Sequence, residues 1–249
     1  MLADDLVRAL DPAAVATAIG MRPGPWQLGV LRSPSPRGLW NCCRQSGKST
    51  IASIVSVHQA VYHPGSLTLM MSPSQRQSQE LFRKALGIYR TIGRPVPSEA
   101  ENQLSLVLEN GSRIVSLPGQ ETTIRGFSGV SLLIVDEAAR VPDDLYASVR
   151  PMLAVSDGRL IALSTPFGTR GWWYEAWRSK EPWERVQVAA ADCPRISAAF
   201  LAEERRTLGE WWFRQEYECQ FTESDTQAFA LEDVEAAVSK ELKAWNLNL

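Results

Sequence analysis

Several short runs of this sequence are apolar at consecutive positions and do not alternate with polar residues. They are Leu39-Trp40-Asn41-Cys42-Cys43, Ser66-Leu67-Thr68-Leu69-Met70-Met71, Ser131-Leu132-Leu133-Ile134-Val135 and Arg159-Leu160-Ile161-Ala162-Leu163-Ser164. A strand with one wet face alternates, whereas a strand without alternation must be covered on both faces. The intervening segments, from Lys48 to about Tyr62, from the cap Ser74 to about Tyr89 and over about 143–153, carry helical patterns. Strand and helix in alternation predict an α/β fold, a mostly parallel central sheet flanked by helices. Asp11-Pro12 opens a short helix to Ile19, and Pro25 opens another through Leu31. Asn110-Gly111 between Leu104–Glu109 and Ser112–Leu117 predicts a β-hairpin. Past Phe167-Gly168 the chain reads as more helical, and Trp172, Trp173, Trp177, Trp183, Trp211 and Trp212 are expected to form the core of a small C-terminal subdomain.

The turn after the first apolar run carries the chemistry. Arg44-Gln45-Ser46-Gly47-Lys48-Ser49-Thr50 lies between a strand and a helix opening at Lys48. This is the arrangement of a phosphate-cradling P-loop, in which backbone N–H groups and the positive helix end hold phosphates. Lys48 then reaches the β/γ oxygens and the Ser49 hydroxyl ligates Mg²⁺. The usual pattern begins with glycine where Cys42 stands, so the loop is a variant.

A second run ends in Asp136-Glu137. If its strand neighbours that of the P-loop in a parallel sheet, Asp136 sits beside the loop and holds Mg²⁺ through water, and Glu137 polarises the attacking water. Ser164-Thr165-Pro166 ends the next strand and places two hydroxyls at the same edge. Gln27, after Trp26, is either an adenine reader, donating and accepting through its amide, or a solvated side chain. Arg44 and Arg125 are isolated cations with the charge to stabilise a transferred phosphoryl group, or ordinary surface arginines.

Composition narrows the alternatives. Charge is −2 overall, with 5 basic and 11 acidic residues in 199–249, so any nucleic-acid contact is a local patch on the earlier part. Four cysteines without C-x-x-C spacing and only two histidines, His58 and His63, argue against a zinc site or disulfide framework. No apolar stretch has the length of a membrane span, and the start MLADDLVRALDP lacks the basic and apolar regions of a secretory signal.

Together these residues resemble the ATPase domain of the large terminase subunit, the DNA-packaging motor of tailed bacteriophages. The resemblance rests on Trp26-Gln27 with Arg32-Ser33, Arg44 to Ser49, Arg125-Gly126, Val135-Asp136-Glu137-Ala138-Ala139, Ser164-Thr165-Pro166 and Phe213-Arg214-Gln215-Glu216-Tyr217. It implies a P-loop ATPase core over 1–168 of the RecA-like ASCE class, a lid subdomain over 169–225, and over 226–249 a linker toward a nuclease domain that this sequence does not include. It implies ATP and Mg²⁺ as cofactors. Gln27 becomes the adenine reader, Arg44 the loop cation, Gln45, Ser46, Gly47, Lys48, Ser49 and Thr50 the nucleotide cradle, and Ser49 and Asp136 the metal ligands. Glu137 becomes the catalytic glutamate, Ser164 and Thr165 the coupling motif, and Arg125 the finger reaching a neighbouring subunit's nucleotide. The implied partners are double-stranded DNA, further copies in a ring (a pentamer by family pattern), the portal protein and the small terminase subunit, in the cytoplasm of an infected bacterium. Two rivals stand beside this: a nucleotide-gated assembly module with little turnover, and another P-loop nucleic-acid translocase.

Overall fold

The computed structural model describes residues 2–117 and 126–223. Three short helices lead in: α1 (Leu2–Leu10), α2 (Pro12–Ala18) and α3 (Pro25–Arg32). The Asp11 carboxylate accepts from Ala13 N at 3.0 Å, and Pro12 occupies the first helical turn, where no N–H is needed.

Among the described residues the strands form one eight-stranded sheet. They are β1 (Arg37–Cys42), β2 (Leu67–Met71), β3 (Ser98–Glu101), β4 (Ser105–Leu108), β5 (Arg113–Leu117), β6 (Leu132–Asp136), β7 (Arg159–Ser164) and β8 (Glu184–Val188). Their order is β3-β4-β5-β2-β6-β7-β1-β8. Pairing is parallel from β5 to β8 and antiparallel for β3–β4 and β4–β5. The hairpin expected around Asn110-Gly111 is β4–β5.

The period-2 geometry of each strand sorts its apolar residues into two cores. In β7, Ile161 and Leu163 join Trp40, Met70 and Ile134 on one face, under α4 (Lys48–Tyr62) and α5 (Gln75–Thr91). Leu160 and Ala162 join Leu39, Leu69, Leu133 and Val135 on the other, under α6 (Asp143–Val149) and α7 (Gly171–Arg178). A last helix, α8 (Ala198–Tyr217), bends at Gly209 and sends Phe213 and Tyr217 into the first core.

Two expectations are corrected here. The P-loop strand β1 and the acid-bearing strand β6 are not neighbours, because β7 pairs in parallel with both. The tryptophans do not make a separate core: Trp172 and Trp173 are buried against the main sheet, and Trp177 and Trp183 pack on that same cluster. The segment 169–225, read from the resemblance as a lid, supplies the edge strand β8, so the boundary at 168 runs within one sheet. The sequence Glu184-Arg185-Val186-Gln187-Val188 conceals that strand because it is polar and only half covered. Residues 226–249, read as a linker, lie outside the described residues. Among the described residues no helix is long and apolar enough to cross a membrane.

Candidate nucleotide-binding site

The carboxyl ends of β1, β7 and β6 lie side by side, with Asn41 in register with Ser164 and Leu163 with Asp136. From β1 the chain passes through buried Cys42 into a tight loop. Cys43 N donates to Val188 O at 2.9 Å and Arg44 N to Glu216 O at 3.3 Å, so both flanks of the loop are fixed to later parts of the chain. Gln45 and Gly47 then take left-handed conformations, with φ of 61° and 92°. At Gly47 the left-handed backbone favours glycine, and a Cβ would press on the side-chain ends of Arg195 (Nη2, 3.0 Å) and Gln27 (Nε2, 3.2 Å). Gly47 caps α4, whose first turn leaves N–H groups without helical partners. Beside that end lies a polar cavity of about 250 Å³, lined by Gln45, Gly47, Lys48, Ser49, Thr50, Lys84 and Arg195.

Lys48, Ser49, Asp136 and Glu137 converge beside this cavity. Ser49 Oγ donates to Asp136 Oδ2 at 2.9 Å, and Glu137 N donates to Asp136 Oδ1 at 3.0 Å. Lys48 Nζ lies 3.6 Å from Glu137 Oε1. Burial and the neighbouring Glu137 push the Asp136 carboxyl up from its ordinary value, while Lys48 and the hydrogen bond from Ser49 draw it down. Glu137 itself is left-handed, with φ of 52°, a conformation that costs energy outside glycine and that gathers at functional sites.

The remaining sequence candidates fall into three groups. Ser164 Oγ accepts from Ala139 N at 3.2 Å, tying the end of β7 to the turn after Glu137, and Thr165 is buried beside it. Gln27 is buried, not solvated: its Oε1 accepts from Gly24 N at 2.9 Å and its Nε2 donates to Ser46 O at 3.3 Å. Arg44 pairs with Glu216. Its Nε donates to Glu216 Oε2 at 2.6 Å, which holds the guanidinium pKa above its ordinary value, and its side chain lines a second cavity of about 490 Å³ with Gln45, Arg195, Phe200 and Tyr217. Arg125 lies outside the described residues.

Sequence reasoning missed Arg140, Lys84 and Arg195. Arg195 Nη2 donates to the carbonyls of Gln45 and Ser46 at 3.2 and 3.1 Å and stands between the two cavities. Arg140 bridges Glu137 Oε2 at 3.2 Å and Glu216 Oε1 at 3.6 Å. Arg195 acquires its role from residues far away in sequence; Arg140 is three positions from Glu137, and its second partner, Glu216, is the distant one.

The donor set fits a hard divalent cation. A hydroxyl and a carboxylate are oxygen ligands suited to Mg²⁺, which ordinarily binds one or two carboxylates together with phosphate oxygens and water. Among the described residues no group of three His, Cys, Asp or Glu side chains is arranged to hold a metal.

Comparisons with known proteins bear on the family and the fold. The family model for the terminase large subunit, T4likevirus-type, N-terminal, matches residues 41–236. The terminase large subunit of Thermus phage G20c is 26% identical over 85% of this chain and 51% of its own length. That of Escherichia phage T5 is 25% identical over 81% and 48%. The chain thus spans about half the length of these curated relatives. Among solved structures, the large terminase ATPase domain of Thermus phage P74-26 superposes with a TM-score of 0.74 at 26% identity, covering 83% of this chain and 97% of that one. The large terminase of a thermophilic bacteriophage, solved in complex with ADP, shares the fold, with a TM-score of 0.67 at 14% identity over 80% of this chain and 54% of that one. With the family match running from the end of β1 past α8, this chain belongs to the terminase large subunit family and corresponds to its N-terminal ATPase domain.

Proposed function

We propose that this chain hydrolyses ATP with Mg²⁺ and that the hydrolysis drives double-stranded viral DNA into a procapsid. The observation that carries the reading is the convergence of Lys48, Ser49, Asp136 and Glu137 beside one polar cavity at a helix N-terminus. Gly47, Lys48, Ser49 and Thr50 cradle the phosphates, with Lys48 on the β/γ oxygens. Ser49 and Asp136 hold Mg²⁺, which when bound neutralises charge on the phosphates. Glu137 orients and polarises the attacking water. The amide of Gln27 retains one lone pair and one N–H beyond its two protein partners, enough to read an adenine edge. The cavity beside Arg195, Phe200 and Tyr217 has room for the nucleoside. Ser164, joined to the turn after Glu137, and the neighbouring Thr165 transmit the state of the site to the rest of the sheet.

The family membership supports the wider setting: a homo-oligomeric ring on DNA in the infected host's cytoplasm, joined by the portal protein and the small terminase subunit. With Arg44 held by Glu216, Arg125 is the arginine we assign to the neighbouring subunit's nucleotide. A single subunit with net charge −2 then binds DNA weakly and with steep salt dependence.

Glu137→Gln tests the reading. Calorimetric titration with Mg-ATP should show binding retained, while phosphate release falls by about 10²–10⁴-fold, the usual contribution of a positioned general base. Unchanged turnover would remove Glu137 from catalysis, and retained packaging function without turnover would favour the nucleotide-gated assembly module.

A further inference from the structure

We infer that Arg140 is a positioning residue that holds Glu137 and couples it, through Glu216, to the C-terminal end of α8. Five charged side chains alternate in sign across the site: Lys48, Glu137, Arg140, Glu216 and Arg44. The successive separations are 3.6 Å, 3.2 Å, 3.6 Å and 2.6 Å. The chain of contacts runs from the helix after the P-loop, through the turn after β6, to α8, and returns to the P-loop at Arg44. Arg140 also lies over the Phe167 ring, 4.6 Å from its centroid, just past Ser164-Thr165-Pro166. One guanidinium therefore touches three segments that converge at the carboxyl edge of the sheet.

Two features make this arrangement more than a surface network. The Glu216 side chain is only 6% exposed, and both of its oxygens are engaged, Oε2 by Arg44 and Oε1 by Arg140 with Gln215 Nε2 at 3.4 Å. If Arg140 moved alone, this buried carboxylate would keep Arg44 as one cationic partner in place of two, a cost that favours Arg140 and Glu216 moving together. Glu137, by contrast, divides its two oxygens between Lys48 and Arg140. A carboxylate so occupied is poorly placed to accept a proton from water.

The inference rests on the ATPase reading given above. Phosphate oxygens that engage Lys48 compete with Glu137 for it, which frees Oε1 to face the attacking water. Arg140 keeps Oε2 and so sets the direction of the freed oxygen. Any shift of Arg140 in that exchange is felt at Glu216 and hence at the end of α8. The assignment is positional: nothing places Arg140 against the nucleotide, and its effect passes through Glu137.

Arg140→Gln and Arg140→Lys, each purified with its native partner segments intact, test it. Calorimetry with Mg-ATP, steady-state phosphate release and hydrogen exchange over residues 210–217 are measured on each. For Arg140→Gln the expected result is an ATP Kd within about threefold of the parent and a kcat lowered about 10- to 100-fold, less than the roughly 10²–10⁴-fold of losing the general base itself. Mg-ATP should change exchange over 210–217 in the parent and not in Arg140→Gln, and Arg140→Lys should recover part of kcat. A kcat equal to the parent's, or a nucleotide response of 210–217 that survives in Arg140→Gln, overturns the inference. If Arg140→Gln fails to fold, Glu216→Gln serves in its place: the exchange response of 210–217 to Mg-ATP should fall silent, and a response that survives overturns the inference. A parent chain that binds no Mg-ATP would instead overturn the ATPase reading itself, a distinguishable failure.

Discussion

The Ser49 hydroxyl donates to Asp136 Oδ2 over 2.9 Å, although β7 separates the strands that lead to these two residues. The reach is possible because α4 begins directly over the carboxyl edge of the sheet and Asp136 is the last residue of β6. A cation that replaces this hydrogen bond would be held by the same two oxygens. Asp136→Asn keeps the size, removes the charge and keeps one accepting oxygen for Glu137 N, while its NH₂ faces Ser49 Oγ, a hydroxyl that can turn from donor to acceptor. Mg²⁺ should then no longer strengthen ATP binding, as read by calorimetric titration with and without chelator. The variant without nucleotide should melt at or above the parent's temperature, since a buried carboxylate carries a desolvation cost. Equal Mg²⁺ dependence in both proteins would exclude Asp136 as a metal ligand.

Gln27 offers a second test, because its amide joins the N-terminal segment to the P-loop. Gln27→Glu replaces the donor facing Ser46 O with a second acceptor. The loop should be displaced, with ATP binding weakened about 10-fold or more, in line with about 1.5–3 kcal/mol for a hydrogen bond to a charged group made unfavourable. If Gln27 reads the base, discrimination between ATP and GTP in competition binding should fall as well. Retained discrimination would limit Gln27 to its structural tie.

Much of this arrangement was legible in the sequence, for physical reasons that particular residues illustrate. The unbroken runs at Leu132–Val135 and Leu160–Leu163 report burial on both faces, and burial on both faces leaves little choice but a covered parallel sheet. Lys48 and Asp136 could be assigned to one edge because a parallel sheet collects all its strand ends there. The strand order was not legible: nothing local distinguishes β7 beside β1 from β6 beside β1. The edge strands β3 and β8 were missed because Ser98-Glu99-Ala100-Glu101 and Glu184-Arg185-Val186-Gln187-Val188 face solvent and carry charge. Arg195 escaped notice because the carbonyls of Gln45 and Ser46 lie about 150 positions away in sequence, and Arg140, although three positions from Glu137, because its link to Glu216 spans 76.

The tryptophans after Gly168 divide sharply in their expected energetics. Trp172 stacks on Tyr146 with ring centroids 3.7 Å apart and planes 7° from parallel, its indole Nε1 donates to Val141 O at 2.9 Å, and its backbone N donates to Asp143 Oδ1 at 2.8 Å. Trp172→Ala removes a buried ring and orphans a carbonyl, and should cost about 3–5 kcal/mol. Trp212, 46% exposed, should cost far less on the same change, about 0.5 kcal/mol by the usual behaviour of surface sites. Urea unfolding of the two variants measures the difference. A Trp172→Ala loss no larger than that of Trp212→Ala would show that the aromatic layer under α7 contributes little to the fold.

His58 gives the fold an acid-side dependence that is separate from the nucleotide site. Its ring lies between α1 and α4, where Nε2 faces Ala9 O at 3.3 Å, the Tyr62 and His63 rings lie 5.1 and 5.8 Å away, and Asp11 is the nearby acid. Burial, and next the charge of His63, depress its pKa below 6.5, while the carbonyl and Asp11 oppose the shift without reversing it. The folded state therefore favours the neutral ring. Above 6.5 neither the folded nor the unfolded chain protonates it, and the full stability is present. As the pH falls below 6.5 the unfolded chain takes up a proton that the folded chain refuses, and stability is lost until the pH passes the folded-state pKa. His58→Gln keeps an amide to meet the Ala9 carbonyl and cannot titrate. The melting temperature of the variant relative to the parent should therefore rise as the pH is lowered from 7 to 5, whatever its offset at pH 7. Parallel melting curves across that interval would mean that His58 protonates equally well in both states, and that the contact between α1 and α4 does not exclude the charged ring.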